Sequence, residues 1–126
     1  MILSLVLIIV VGLLAHGFIL MLPRDQWDGS LYQSLTTERD WAGTVLPFRD
    51  AGYPLHGLFH WYLGLLPRSL VPYGYHLVAF VSLLLVASLA AVIHHRESGR
   101  SWAWSTALGA LIASHPVMSW MVATGG

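Results

Sequence analysis

The feature that most constrains the fold is the apolar stretch VPYGYHLVAFVSLLLVASLAAVIHHR, residues 71–96. It has aromatic side chains near its start and a basic cluster at its end, and no charged residue precedes Arg96 within it. A helix needs about 20 predominantly apolar residues to cross the hydrocarbon core of a bilayer. The stretch therefore predicts a membrane-spanning helix, which fixes the side of the membrane on which each flanking segment lies.

The composition supports this interpretation and excludes several function classes. The chain is 56% hydrophobic and 10% charged, whereas soluble domains carry about 25% charged residues. Six basic and six acidic residues give a formal net charge of +0, so nothing predicts the basic surface that nucleic acid requires. The absence of cysteine excludes disulfide frameworks, thiol catalysis and thiolate metal sites.

A second apolar segment opens the chain, from Ile2 to Leu22, and contains no formal charge. A cleaved signal peptide is the alternative interpretation, and it would carry a basic start and a small-residue cleavage site. No basic residue precedes Arg24, and the sequence PRDQW that follows the segment is a poor cleavage site. We therefore predict an uncleaved first span over residues 2–22.

Two further spans are predicted, over residues 75–95 and 101–122, joined by the short polar turn HHRESGR. Both carry small residues at intervals of four, where helix backbones approach closely in a membrane. These small residues are Ala87, Ala91, Ser105, Gly109 and Ala113. Pro116 predicts a kink in the third span. The fold class predicted is an all-α membrane protein, with one domain over residues 1–126.

The outer loop, residues 23–74, is predicted to carry short helices at the membrane surface. Asp28 can cap a surface helix that extends to about Arg39, with an irregular solvated loop as the alternative. The segment 55–66 is apolar but too short to cross, so an interfacial or re-entrant helix is predicted.

Within that apolar segment, His56 and His60 lie four residues apart, a spacing that could hold a metal ion on one helix face. No carboxylate or third histidine accompanies them nearby in the sequence. We therefore predict no metal site.

The basic residues predict the orientation. The turn at residues 94–100 holds two arginines and one glutamate, and the loop at residues 23–74 holds four arginines and five acidic residues. The positive-inside rule places the turn in the cytoplasm. We therefore predict a protein of the bacterial inner membrane, with its N-terminus cytoplasmic and its loop and C-terminus periplasmic.

Three stretches in register resemble one family. PYGYHLVAFVSLLLVASLAAVIHHR, residues 72–96, resembles a recurring span of GT-C-type membrane glycosyltransferases, above all the O-mannosyltransferase-like proteins with tetratricopeptide repeats. ALIASHPVMSW, residues 110–120, looks like the His-Pro element of that family, and WDGSLYQSL, residues 27–35, is similar to its acidic motif. The resemblance covers only the N-terminal membrane portion of such an enzyme.

The resemblance implies a transferase at the outer membrane face that uses a polyprenyl-phosphate sugar. Asp28 would be the general base that takes the proton of the attacking acceptor, with Asp25 as second choice. This chain departs from the family at three charged positions. Gly29 replaces a second acid, Tyr53 an arginine and Trp120 a glutamate.

Because of these departures, the preferred hypothesis is a non-catalytic accessory subunit of a larger membrane complex, built on a truncated glycosyltransferase-like fold. A photosynthetic or a respiratory complex is a candidate for that larger complex. The partners of this chain would be other membrane protein subunits and lipids, with no cofactor expected. The first alternative is the N-terminal part of the transferase. The second is a haem- or chlorophyll-binding subunit, because His16 and His115 lie at similar depth in two predicted spans of the same direction and histidine is a common axial ligand.

Overall fold

The computed structural model describes residues 1–21 and 41–115, and every regular element in these two ranges is a helix. The helices are α1 (Ile2–His16, continued by the 3₁₀ segment Gly17–Met21), α2 (Trp41–Asp50), α3 (Pro54–Gly64), α4 (Val71–Ser98) and α5 (Trp102–Ser114). The all-α class predicted from the sequence is confirmed for the described part of the chain.

Two helical segments in the described ranges are long and apolar enough to cross a membrane, Ile2–Met21 and Val71–Ser98. Only 28% of the most apolar window of each is buried within the fold. The core helix of a soluble protein would bury most of such a window, because exposure of apolar surface to water is unfavourable. The outward-facing side chains here are large and apolar, as at Leu14 and Leu85.

The observed helix α4 begins four residues before the predicted span at Tyr75 and ends three residues after it. Pro72 lies in its first turn, where a backbone N–H has no helical partner to lose. Gly99 ends the helix in the left-handed conformation, with φ of +62°, which costs glycine no steric strain.

The third predicted span is described only in part. Helix α5 has 13 residues, which reach about 20 Å at 1.5 Å per residue, less than the hydrocarbon core of about 30 Å. The remainder of the predicted span, with Pro116, lies outside the described residues. A third crossing therefore stays a prediction.

Helices α1, α4 and α5 form one bundle. Gly12 of α1 faces Ala113 of α5, and Gly109 of α5 faces Ile8 of α1, so these two helices run parallel. Helix α4 runs antiparallel to both, because Leu84 faces Gly12 while His94 near its end bonds to Ser105 near the start of α5. The N-terminus of α1 and the C-terminus of α4 therefore lie at the same end of the bundle.

Small residues fill the seam between these three helices. A Cβ atom built on Gly109 would lie 3.0 Å from the backbone oxygen of Ala87 and 3.1 Å from Cβ of Ala91. Ser105, Gly109 and Ala113 are the buried residues of α5. The small-residue seam predicted from the sequence is confirmed, and it lets the helix backbones approach without a large side chain between them.

Helices α2 and α3 form a hairpin at the other end of the bundle. Their connection includes Gly52, which has φ of +88°. Gly57 of α3 sits against α2, where an added Cβ would lie 3.0 Å from the backbone oxygen of Val45. The sequence did not predict α2, because Gly43 and Pro47 disfavour a helix. Its close packing against α3 outweighs that local preference.

The hairpin rests on the beginning of α4. Leu63 of α3 packs in a buried cluster with Val71 and Tyr75 of α4. Ile19, near the end of the first apolar segment, packs against Phe80 and Leu83 of α4. The hairpin therefore lies at the end of the bundle where the first segment ends and α4 begins.

Candidate functional site

The most developed polar arrangement in the described part of the chain joins α3 to α4. Nδ1 of His60 and the hydroxyl oxygen of Tyr75 lie 2.6 Å apart and share a hydrogen bond. His60 is 2% exposed and Tyr75 is 1% exposed. His60 points inward because it belongs to the face of α3 that also carries Gly57, Leu63 and Gly64. Tyr75 lies one turn after Val71 on the buried face of α4.

Aromatic rings surround this pair. Phe48 of α2 stacks on His56 and on His60, with ring centroids 5.2 Å and 4.9 Å away. Phe59 contacts the Tyr75 ring edge-to-face at 6.1 Å. The ring of His56 lies 4.6 Å from that of His60, and His56 is exposed. The pair is therefore enclosed by aromatic side chains, and His56 links it to the surface.

Burial controls the charge of His60. Desolvation by burial, and to a smaller extent the neighbouring His56, together lower the pKa of His60 from 6.5 to about 4. His60 is therefore neutral at pH 7. A neutral imidazole has one N–H and one acceptor nitrogen, so either the Tyr75 hydroxyl donates to Nδ1 or Nδ1–H donates to the phenol oxygen.

The lowered pKa of His60 predicts that the stability of the hairpin depends on pH. Between pH 6.5 and pH 4 the unfolded state binds a proton at His60 that the folded state does not, so the free energy of unfolding falls as the pH falls through this window. A shift from 6.5 to about 4 corresponds to a loss of about 3 kcal/mol at the acid end. NMR titration of His60 would measure its pKa in the folded protein. Amide exchange of α3 at a series of pH values would measure the free energy of unfolding of the hairpin.

The matched control for this titration is His60→Gln, which removes the titrating group and should remove its share of the pH dependence. His56→Gln should raise the pKa of His60, because it removes the second of the two causes. Titration of His60 near 6.5 in the folded protein would contradict the prediction.

Most of the predicted transferase residues fall outside residues 1–21 and 41–115. Asp25 and Asp28 lie outside the described residues, as do Gly29 and Trp120. Tyr53, where the family has an arginine, is exposed and forms the N-cap of α3.

The two histidines of the pigment hypothesis have different environments. His16 is buried on the inner face of α1. His115 follows the last turn of α5 and is exposed. Because α1 and α5 run parallel, both lie at the end of the bundle that carries the hairpin.

His56 and His60 are the candidate ligands for a metal ion in the hairpin. Across residues 1–21 and 41–115, no three histidine or carboxylate side chains are grouped so that they could hold a metal ion. The spacing of four does place both imidazoles on neighbouring positions of α3, where they stack with Phe48 instead.

The sequence did not predict the His60–Tyr75 pair. The spacing of His56 and His60 pointed to α3, but their partner lies 15 residues away, on a separate helix. No local pattern reveals that contact. Comparisons with known proteins give no match: no family model fits the chain, and no curated protein or solved structure is significantly similar to it.

Proposed function

We propose that this chain is a non-catalytic integral-membrane subunit of a larger membrane assembly. The observation that carries the proposal is the apolar surface that α1 and α4 leave uncovered, since only 28% of each apolar window is buried. Lipid or other membrane helices are the surroundings in which such a surface is stable. The proposal includes a third crossing that begins with α5.

The packing of the bundle supports a structural role. Helices α1, α4 and α5 meet at the small residues Gly12, Gly109 and Ala91, where the helix backbones lie close to one another. Such contacts are typical of helix association in membranes. They also leave little volume between the helices for a substrate.

The outer face of α5 supports contact with further helices. Ala103 and Ala107 are exposed and lie one turn apart. Trp104 and Leu111 are also exposed. Small residues beside large apolar ones allow a helix of another subunit to approach closely.

The enclosed His60–Tyr75 pair supports a non-catalytic role for the hairpin. A catalytic base must lie within hydrogen-bond reach of the group that it deprotonates. Both members of the pair are almost fully buried, and they bond to each other across two helices. Their chemistry here is to hold the hairpin on α4.

The orientation that we propose places the N-terminus in the cytoplasm and the hairpin at the periplasmic side of a bacterial inner membrane. It is supported by residues 94–100, at the end of α4 and just after it, which lie at the same end as the N-terminus and include Arg96 and Arg100. Local contacts stabilise this segment. His95 stacks on Trp102 at 4.1 Å, and Nδ1 of His95 lies 2.8 Å from the carbonyl oxygen of Arg100.

Native mass spectrometry of the protein, solubilised from its own membranes, tests the subunit proposal. We expect the chain to emerge in a large assembly with several other membrane proteins. Isolation only as a free monomer would contradict the proposal. An absorption spectrum of the same sample would reveal haem or chlorophyll, and His16→Ala and His115→Ala would then be compared.

Isolation with one further multi-span chain and a polyprenyl lipid would instead favour the transferase alternative. In that case Asp28→Asn should abolish sugar transfer by the assembled pair. Asp25→Asn would be the matched variant for the second candidate base.

A further inference from the structure

We propose that the outward face of α3 inserts into the boundary between the headgroups and acyl chains of the bilayer that α1 and α4 cross. This face, called the outer stripe, consists of the exposed Leu55 and Tyr62, the half-buried Leu58 between them, and the exposed Leu65, which directly follows the last residue of α3. The hairpin would then be a lipid-docked element rather than a solvated loop. The inference rests on the proposed membrane insertion of the bundle.

Helix α3 is apolar on two opposite faces. Its inner face carries His60 and Leu63 against α2 and α4. In the outer stripe, Leu55 is 79% exposed, Tyr62 is 63% exposed and Leu65 is 50% exposed. At 3.6 residues per turn the four stripe positions fall within an arc of about 80°. A surface helix of a soluble protein carries charged or polar residues on its outward face, whereas the outward face of α3 carries leucines and a tyrosine.

The inner face fixes the height of α3 relative to the bundle. Leu63 packs on Val71, and His60 bonds to Tyr75, so α3 is attached to the first turns of α4. The first turns of a spanning helix lie where the hydrocarbon meets the headgroups. The outer stripe is therefore held at the membrane boundary and cannot lie far out in water.

The chemistry of the hairpin fits that boundary. Tyr62 adds a hydroxyl to the leucines of the stripe, and Trp41 and Trp61 pack edge-to-face at 5.0 Å beside it. Tyrosine and tryptophan are enriched at membrane interfaces because their rings are apolar and their tips are polar. The charged pair Arg49–Asp50 lies at the end of α2, before the connection to α3, and residues 55–65 contain no charged residue.

Continuity favours lipid over a protein partner. The exposed apolar faces of α1 and α4 extend to the end of the bundle at which the hairpin sits, as at Phe18 and Leu77. The stripe continues this apolar surface at the same membrane boundary. One bilayer can therefore cover all of these faces together.

The test uses single cysteines, because the native chain has none. The full chain is reconstituted in nanodiscs of phosphatidylethanolamine and phosphatidylglycerol, and a nitroxide label is attached in Leu55→Cys, at the most exposed position of the stripe. Electron paramagnetic resonance then measures collisions with oxygen, which concentrates in lipid, and with a water-soluble nickel chelate. Asp50→Cys is the water-facing control and Leu85→Cys is the lipid-facing control.

We expect the oxygen-to-nickel collision ratio at Leu55→Cys to be severalfold above that at Asp50→Cys and close to that at Leu85→Cys. Tyr62→Cys, on the same stripe, should give the same result and guards against misfolding of one variant. Near-ultraviolet circular dichroism checks the fold of each variant.

Two outcomes would overturn the inference. Nickel access at both stripe positions like that at Asp50→Cys would place the stripe in water. Low collision rates with both reagents would mean that protein covers the stripe, whether a partner or another segment of this chain. Nickel access at Leu85→Cys would instead contradict the proposed membrane insertion itself, so the two failures are distinguishable.

Discussion

Replacing Gly109 by alanine is expected to destabilise the bundle by about 2 kcal/mol, and replacement by valine by roughly 3 kcal/mol or more, as overpacking of a close-packed core does. A Cβ at this position would lie 2.5 Å from Cδ1 of Ile8, 3.0 Å from the backbone oxygen of Ala87 and 3.1 Å from Cβ of Ala91. The end of the Ile8 side chain can rotate away. The backbone of α4 cannot move without separating the helices.

Gly17 provides the matched control. An added Cβ there would meet only Cδ2 of Leu13, at 3.8 Å, which is ordinary contact. Alanine is a better helix former than glycine by about 1 kcal/mol, so Gly17→Ala should be neutral or slightly stabilising. Of the two alanine substitutions, only Gly109→Ala should therefore lower the stability.

Unfolding in mixed micelles of increasing dodecyl sulfate content, followed by tryptophan fluorescence, measures both effects. Ile8→Val should restore part of the stability of Gly109→Ala, because it removes Cδ1, the nearest of the three atoms. Equal stability of Gly109→Val and the native protein would show that α5 does not approach α1 and α4 as described.

Removing the hydroxyl of Tyr75 is the second substitution with a large expected effect. Tyr75→Phe should lower the free energy of unfolding by about 1–3 kcal/mol, because a buried imidazole then loses its hydrogen bond without regaining water. His60→Leu should have a similar effect. The loss of stability in the double variant should be smaller than the sum of the two single losses by about 1–2 kcal/mol, because neither polar group of the pair is then left buried without the other.

The two single variants and the double variant are compared with the native protein by unfolding in dodecyl sulfate micelles and by amide exchange across α3. The effect should concentrate in the hairpin, because the pair joins α3 to α4. Tyr62→Phe is the control, since that hydroxyl is on an exposed side chain and its loss should change stability by less than about 0.5 kcal/mol. Strict additivity of His60→Leu and Tyr75→Phe would mean that the pair does not couple the helices.

Local patterns predicted most of the elements and few of their contacts. The apolar lengths predicted α1 and α4 closely, because crossing a bilayer sets the number of apolar residues required. Proline at position 54 and the apolar run that follows predicted α3. Helix α2 was missed, because its glycine and proline oppose a helix locally and only packing against Gly57 compensates.

The candidate site was less predictable than the helices. The sequence singled out His56 and His60 by their spacing, and the structure uses His60 in a hydrogen bond to Tyr75. The acidic motif predicted at Asp28 is local in sequence, and it lies outside the described residues. A pair formed by two helices depends on how those helices cross, which no local motif encodes.

By itself, the sequence determined that this chain is helical and has two segments able to cross a membrane. Their apolar lengths and their lack of charge are properties of the segments alone. Only the tertiary structure decided that Gly109 packs against Ile8 of α1 as well as against α4, that residues 41–50 form α2, and that α3 turns His60 inward and Leu55 outward. The physical reason is that these helices carry apolar residues on more than one side, so hydrophobic pattern cannot distinguish a face that packs on protein from one that is left for lipid.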